Sequence, residues 1–168
     1  MRIVSLSILQ STADIIVISA HPSLLAGSGI SVVVHKAAGP ELEKYARPLG
    51  PLKPGQAVIT PAFNLKAKYI IHTICPRYMD GQRGEKEQLA SAYSSTLDFY
   101  KQISDAQSIA FVSMGTGVYK WPLAVAADIA TRELLKSEFE ETLLCAIDEN
   151  TKNAYELTME AFEVTPDS

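Results

Sequence analysis

The 168-residue sequence is 47% hydrophobic and 20% charged, a composition typical of one globular domain, which we place over residues 1–168. Its 15 lysines and arginines against 19 aspartates and glutamates give a net charge of −4, which excludes a surface for gripping a long nucleic acid. No apolar run approaches the roughly 18 residues of a membrane span, and the start "MRIVSLSILQ" predicts a first strand rather than a signal peptide. We therefore expect a cytoplasmic protein with no membrane partner.

Strand-like and helix-like segments alternate along the chain. The predicted strands, most of them continuous apolar runs, are 2–9, 13–20, 57–60, 69–75, 108–113 and 142–147. The apolar stripes of four predicted helices are Ile30, Val33, Val34, Ala37 and Ala38, then Leu89, Ala92, Tyr93, Thr96, Leu97 and Tyr100, then Ala126, Ala127, Ala130 and Leu134, and finally Ala154, Leu157, Ala161 and Phe162. The last helix follows "DENT", where Asn150 or Thr151 can cap. The alternation indicates an α/β domain with helices on both faces of a mixed sheet.

Two glycine-rich loops lie where an α/β sheet binds ligands, beyond the carboxyl end of a strand and before a helix. They are "HPSLLAGSGIS" at 21–31 and "SMGTGVYKWP" at 113–122. A glycine turn that leads into a helix can point several backbone N–H groups at one place, which favours an anion. The same pattern is also typical of any tight strand-to-helix turn. From these residues alone, a phosphate site and a purely structural turn both remain open.

Three motifs, in order, make the chain resemble the macrodomain family, whose members bind ADP-ribose and related nucleotides. They are "DIIVISAHPSLLAGSGISVVVHKAAG", "GQAVITPAFNLKAKYIIHTICP" and "SIAFVSMGTGVYKWP". The resemblance runs from about residue 13 to residue 134, and the "PSL" and "HxAAGPxL" stretches are like those of bacterial stand-alone members. It implies a three-layer α/β/α sandwich around a mixed, mostly parallel six-stranded sheet.

The resemblance implies that a nucleotide lies between the two glycine loops. The residues implied to surround the phosphates and the distal ribose are Gly27, Ser28, Gly29, Ile30, Ser113, Gly115, Thr116, Gly117, Val118 and Tyr119. On the adenine side it implies Ser7, where family members carry an aspartate, and Asp14 is a second candidate, although an edge or turn role suits it equally. The implied partners are ADP-ribose or a related small nucleotide and an ADP-ribosylated protein, with no cofactor and no metal.

Two departures from the family bear on hydrolysis. His21 stands where family members have an asparagine that contacts the distal ribose, and Ser31 stands where hydrolytic members carry an acid. A serine hydroxyl cannot replace a carboxylate as general base near neutrality. We therefore expect binding with little or no hydrolysis. The alternative is an enzyme that removes ADP-ribose from proteins or deacetylates O-acetyl-ADP-ribose, with His21 as its catalytic residue, while a histidine that only lines the pocket is the simpler interpretation.

Other polar residues have simpler interpretations. Lys120 replaces a family glycine and could contact a phosphate, but a solvated lysine is the more common case. His35 and His72 fall in helix and strand runs, which favours core histidines. Cys75 and Cys145 lie in apolar runs without metal-ligand spacing, which favours small buried residues in a reducing compartment over zinc ligands or a nucleophile.

Overall fold

A computed structural model gives the architecture of residues 1–117 and 119–164. The strands are β1 Arg2–Val4, β2 Ile15–Ser19, β3 Ala57–Pro61, β4 Tyr69–Thr73, β5 Ser108–Val112 and β6 Glu141–Cys145. The α-helices are α1 Ile30–Ala38, α2 Glu41–Ala46, α3 Glu85–Leu97, α4 Leu123–Leu134 and α5 Glu149–Val164. Short 3-10 helices cover Ile8–Gln10, Arg47–Leu49 and Asp98–Gln102.

The six strands form one mixed sheet in the order β1-β6-β5-β2-β4-β3. All neighbouring pairs are parallel except β3 and β4, which are antiparallel. Ile15 at the start of β2 pairs with Tyr69 of β4 on one side and with Ile109 of β5 on the other. The carboxyl ends of five strands therefore meet at one edge of the sheet. This arrangement confirms the predicted fold class.

Each central strand sends alternate side chains to two separate cores, as the two-residue period of a strand requires. From β2, Ile15 and Val17 join the core that includes α3 and α4, while Ile16 and Ile18 join the core that includes α1 and α2. The sheet is thus the middle of three layers. No helix within residues 1–117 and 119–164 is long and apolar enough to cross a bilayer.

Three local predictions were wrong. The first strand ends at Val4 rather than residue 9, because Ser7 caps a 3-10 helix and Gln10 completes a reciprocal capping box. The cap of α5 comes from Asp148 rather than Asn150 or Thr151, since the Thr151 N–H and hydroxyl both donate to its carboxylate at 2.8 Å. Five residues of the predicted apolar stripes are exposed instead, and Leu157 is the most exposed of those with a printed value, at 67%. They are Val33, Ala37, Tyr100, Leu157 and Ala161.

Candidate functional site

The two glycine loops emerge side by side at the carboxyl edge of the sheet. β2 and β5 are parallel neighbours, so the segments that follow Ser19 and Val112 leave the sheet together. One segment leads into α1 through Gly29, and the other leads into α4 through Pro122. Neither helix start receives a hydrogen bond from a side-chain cap. The first N–H groups of both helices therefore remain available to an anion.

The glycines of these two loops differ in why glycine, rather than a residue with a side chain, suits each position. Gly27, Gly29 and Gly115 have φ angles of +67°, +62° and +90°, which favour glycine. A Cβ at Gly115 would also lie 2.5 Å from Cδ1 of Trp121. At Gly117, which lacks such a φ, a Cβ would have nothing within 4 Å. The fold itself therefore requires glycine at 115, whereas at 117 glycine leaves open space beside the backbone.

Trp121 and Tyr119 tie the loop after β5 to the loop after β4. The Trp121 indole N–H donates to the Pro76 carbonyl at 2.8 Å, and the Tyr78 N–H donates to the Tyr119 carbonyl at 3.0 Å. The rings of Tyr78 and Trp121 also pack together at 5.0 Å between centroids. The position of the predicted phosphate loop thus depends on its neighbour.

The loop after β4 is itself wrapped around a carboxylate. Glu85, at the start of α3, is buried and accepts N–H groups from Met79 at 2.6 Å and Arg83 at 2.8 Å, with Asp80 at 3.3 Å. Burial alone would raise the Glu85 pKa, but these backbone donors lower it to about 2. The carboxylate is therefore charged near neutrality and holds the loop in one conformation.

The loop after β2 is held by Glu43 and by an internal contact of His21. The Ala26 N–H donates to the Glu43 carboxylate at 3.1 Å. The Ser23 N–H donates to Nδ1 of His21 at 3.1 Å, and the Ser23 hydroxyl lies 2.7 Å from the same nitrogen. Because a backbone N–H can only donate, Nδ1 acts as an acceptor and the neutral ring carries its hydrogen on Nε2. His21 therefore offers a hydrogen-bond donor at Nε2.

Other polar residues near the site are placed as follows. Ser31 is the second residue of α1 and is buried, and its hydroxyl has no partner among the described residues. Lys120 is exposed with φ +61°, a left-handed conformation, at the position where the resemblance implied a glycine. Ser113 and Thr116 face each other, with 3.4 Å between their hydroxyl oxygens. Val118 lies outside the described residues.

The histidines and cysteines of the elements are core residues, as the sequence indicated. His72 is fully buried with Nε2 2.9 Å from the Thr60 hydroxyl, and burial lowers its pKa to about 3. Its ring meets that of His35 edge-on, with the centroids 6.2 Å apart. Burial also raises the pKa of the Cys75 thiol to about 12, so this cysteine is protonated and unreactive near neutrality.

The two adenine-side candidates lie in different places. Ser7 follows β1, and its hydroxyl already accepts the Leu9 N–H at 3.2 Å. Asp14 precedes β2, at the opposite edge of the sheet from the glycine loops, and its carboxylate accepts the Gln107 N–H at 2.8 Å. This N–H bond is the main reason why the Asp14 pKa is lowered. Asp14 therefore lies away from the glycine loops and makes the backbone contacts of a turn.

Sequence reasoning missed two apolar residues at the carboxyl edge. Leu6 follows β1 and is 40% exposed, and Ile147 follows the neighbouring strand β6 and is 74% exposed. Large aliphatic side chains exposed just beyond two parallel neighbours offer an apolar surface for a ligand ring. The rule that ligands bind beyond the carboxyl ends of strands could have identified them.

Comparisons with known proteins give the same family along the chain. The Macro domain family model matches residues 17–130. A Macro domain-containing protein of Lactiplantibacillus plantarum is 36% identical over 167 residues, covering 95% of this chain and 96% of the relative. An O-acetyl-ADP-ribose deacetylase of Escherichia fergusonii is 43% identical over 129 residues, covering 74% and 72% of the two chains. A mutant Oceanobacillus iheyensis macrodomain with ADPR superposes with a TM-score of 0.89 at 30% identity, covering 97% of this chain and 93% of the other. The chain belongs to the Macro domain family.

Proposed function

We propose that the protein binds ADP-ribose or a related nucleotide diphosphate in the cleft between residues 27–30 and 113–119, with little or no hydrolysis. One observation carries the proposal. Two glycine loops leave adjacent parallel strands at the same edge, and each enters a helix whose first N–H groups lack a side-chain cap. Two such groups of donors suit the two phosphates of a diphosphate. The solved macrodomain with ADPR supports this choice of ligand.

The base and the distal ribose take opposite ends of this cleft in the proposal. Leu6 and Ile147 supply an apolar surface for the purine, and the Ser7 hydroxyl is the polar group beside them. His21, at the start of the other loop, donates from Nε2 to an oxygen of the distal ribose. Donors at the ribose and an apolar surface at the base give the ligand a single orientation.

The proposed lack of hydrolysis rests on His21 and Ser31, the two departures from the family, because neither side chain is available as a general base. A general base needs a free lone pair, and the lone pair of the neutral His21 ring is on Nδ1, which Ser23 already holds. The Ser31 hydroxyl is buried and is no base near neutral pH. Neither residue can then take the proton of an attacking water at the cleft.

A second candidate function is deacetylation of O-acetyl-ADP-ribose or removal of ADP-ribose from proteins in the same cleft. It is favoured by the 43% identity to the relative named O-acetyl-ADP-ribose deacetylase. This function would need a water-activating group other than the lone pair that Ser23 occupies.

Two measurements on the same protein separate these functions. Calorimetric titration with ADP-ribose tests binding, and incubation with a mono-ADP-ribosylated protein or O-acetyl-ADP-ribose, followed by product detection, tests turnover. Binding with at most trace product supports the proposed function. Binding with robust turnover selects the enzyme instead, and loss of that turnover in His21→Ala would show that His21 activates water despite its contact with Ser23. Absence of binding contradicts both functions.

A further inference from the structure

Two buried tyrosines on two different helices contact the start of the glycine loop that follows β5. This loop, residues 113–122, is called the phosphate loop below. Tyr93 belongs to α3 and Tyr155 belongs to α5, and both side chains are fully buried. The Tyr155 hydroxyl donates to Oγ of Ser113 at 3.0 Å, and the Met114 N–H donates to the Tyr93 hydroxyl at 3.2 Å. Ser113 and Met114 are the first two residues after β5. Both helices therefore hold the chain at the point where the loop begins.

The direction of these hydrogen bonds affects what Ser113 can offer a ligand. The Met114 N–H can only donate, so the Tyr93 oxygen is an acceptor. Tyr155 donates to Ser113, so the Ser113 oxygen is an acceptor and its own hydrogen is left for another oxygen. Thr116 is the nearest partner in the loop, with 3.4 Å between the two hydroxyl oxygens, a long hydrogen bond. A phosphate oxygen could compete for that hydrogen.

The phenols keep their hydrogens under all ordinary conditions. Burial raises the pKa of both hydroxyls above the usual tyrosine value. Their rings meanwhile pack in the core, where Tyr93 lies 5.7 Å from Phe111 between centroids. A change from tyrosine to phenylalanine would therefore keep the packing and remove the hydrogen bond to the loop, together with the contact between the Tyr93 and Tyr155 hydroxyls.

We propose that Tyr93 and Tyr155 are positioning residues for phosphate binding, and that they act through Met114 and Ser113. Their hydroxyls fix the first two residues of the loop, so that the N–H groups of residues 115–117 and the Ser113 hydroxyl are in place before the ligand arrives. A loop fixed in advance loses less conformational entropy when it binds. This inference rests on the proposed function, because it assumes that the anion binds at this loop.

The first test compares three single variants that differ from the wild type by one hydroxyl each. Tyr155→Phe and Tyr93→Phe remove the contacts to the loop. Tyr69→Phe is the matched control, since its hydroxyl bonds Asp105 at 3.0 Å at the opposite edge of the sheet. We expect ADP-ribose affinity, measured by calorimetry, to fall roughly three- to tenfold in the first two variants and to stay within about twofold in the control.

The second test asks whether Tyr155 acts through Ser113. In a Ser113→Ala background, Tyr155→Phe should add less than about a twofold loss of affinity, because the loop partner of its hydroxyl is already absent and only its contact with the Tyr93 hydroxyl remains. Fully additive losses would overturn the proposed route through Ser113. Melting temperatures of all variants show whether a loss of affinity comes from a damaged fold.

Hydrogen exchange of residues 113–117 in the ligand-free protein keeps the two proposals separate. Faster exchange in Tyr155→Phe and Tyr93→Phe, but not in Tyr69→Phe, supports anchoring of the loop by the phenols. This conclusion holds even if the wild type binds no ADP-ribose, because absence of binding would contradict only the proposed function. Unchanged exchange together with unchanged affinity in both variants overturns the role of the phenols.

Discussion

Replacing Gly115 with alanine is expected to destabilise the protein even without ligand. Gly115 has φ +90°, and a Cβ there would lie 2.5 Å from Cδ1 of Trp121, whose buried indole donates to Pro76. A left-handed non-glycine residue costs roughly 1–2 kcal/mol, and overpacking a buried ring costs about 1–3 kcal/mol. The sum of about 2–5 kcal/mol corresponds to a melting temperature lower by roughly 4–20 °C for a chain of this length.

Gly117, two residues along the same loop, provides the control. It lacks a left-handed φ and has open space where a Cβ would be, so Gly117→Val should change the unfolding free energy by less than about 1 kcal/mol. The same change should weaken ADP-ribose binding at least tenfold, about 1.4 kcal/mol, because a branched side chain would fill the space that a phosphate needs. Thermal unfolding of both variants and calorimetry of Gly117→Val measure these effects. A Gly115→Ala protein that melts within about 2 °C of the wild type would refute the steric reasoning.

Three further predictions concern the ligand and the pH dependence. His21→Ala should lower ADP-ribose affinity by roughly three- to tenfold, since one donor is lost, and an unchanged dissociation constant in calorimetry would remove His21 from the site. Competition between ADP-ribose and its guanosine counterpart should show less than about a tenfold preference, because Ser7 offers a hydroxyl rather than a carboxylate to the adenine amino group, whereas a strong preference would assign that role to another residue. Burial lowers the His72 pKa from 6.5 to about 3, so its contribution to stability is complete above pH 6.5 and is lost as the pH falls toward 3. Urea unfolding between pH 7 and pH 4 should therefore show a steeper loss for the wild type than for His72→Gln, and equal slopes would contradict this account.

The sequence predicted the sheet and the two loops well because both depend on local signals. Continuous apolar runs mark strands that are covered on both faces, and the glycines of 27–29 and 115–117 mark where the chain turns out of the sheet. The parallel pairing of β2 with β5, which brings the two loops together, is a long-range feature that no local signal gives. Local signals therefore predicted the loops, and only the family resemblance predicted a cleft between them.

The wrong predictions concern segments whose sequence pattern fits more than one structure, so that specific contacts decide between them. The apolar run through Ile8 is also compatible with a 3-10 turn, and the reciprocal bonds of Ser7 and Gln10 decide for the turn. Leu157 fits a helical stripe, but the rotation of α5 about its axis is set by the buried Tyr155 and leaves Leu157 outside. The links from Tyr93 and Tyr155 to the phosphate loop join residues 21 and 42 positions apart, which no motif within the loop can reveal.

The two outer strands of the sheet have a consequence for how the protein behaves at high concentration. An exposed outer strand presents unpaired backbone groups that can recruit a strand from another molecule. Here β1 has only three residues and carries Arg2, whose charge is paired with Glu141 on β6 at 2.8 Å, while β3 ends in Pro61, which has no N–H to donate. Both outer strands are therefore poor templates for intermolecular strand pairing, so growth of the sheet from one molecule into the next is disfavoured.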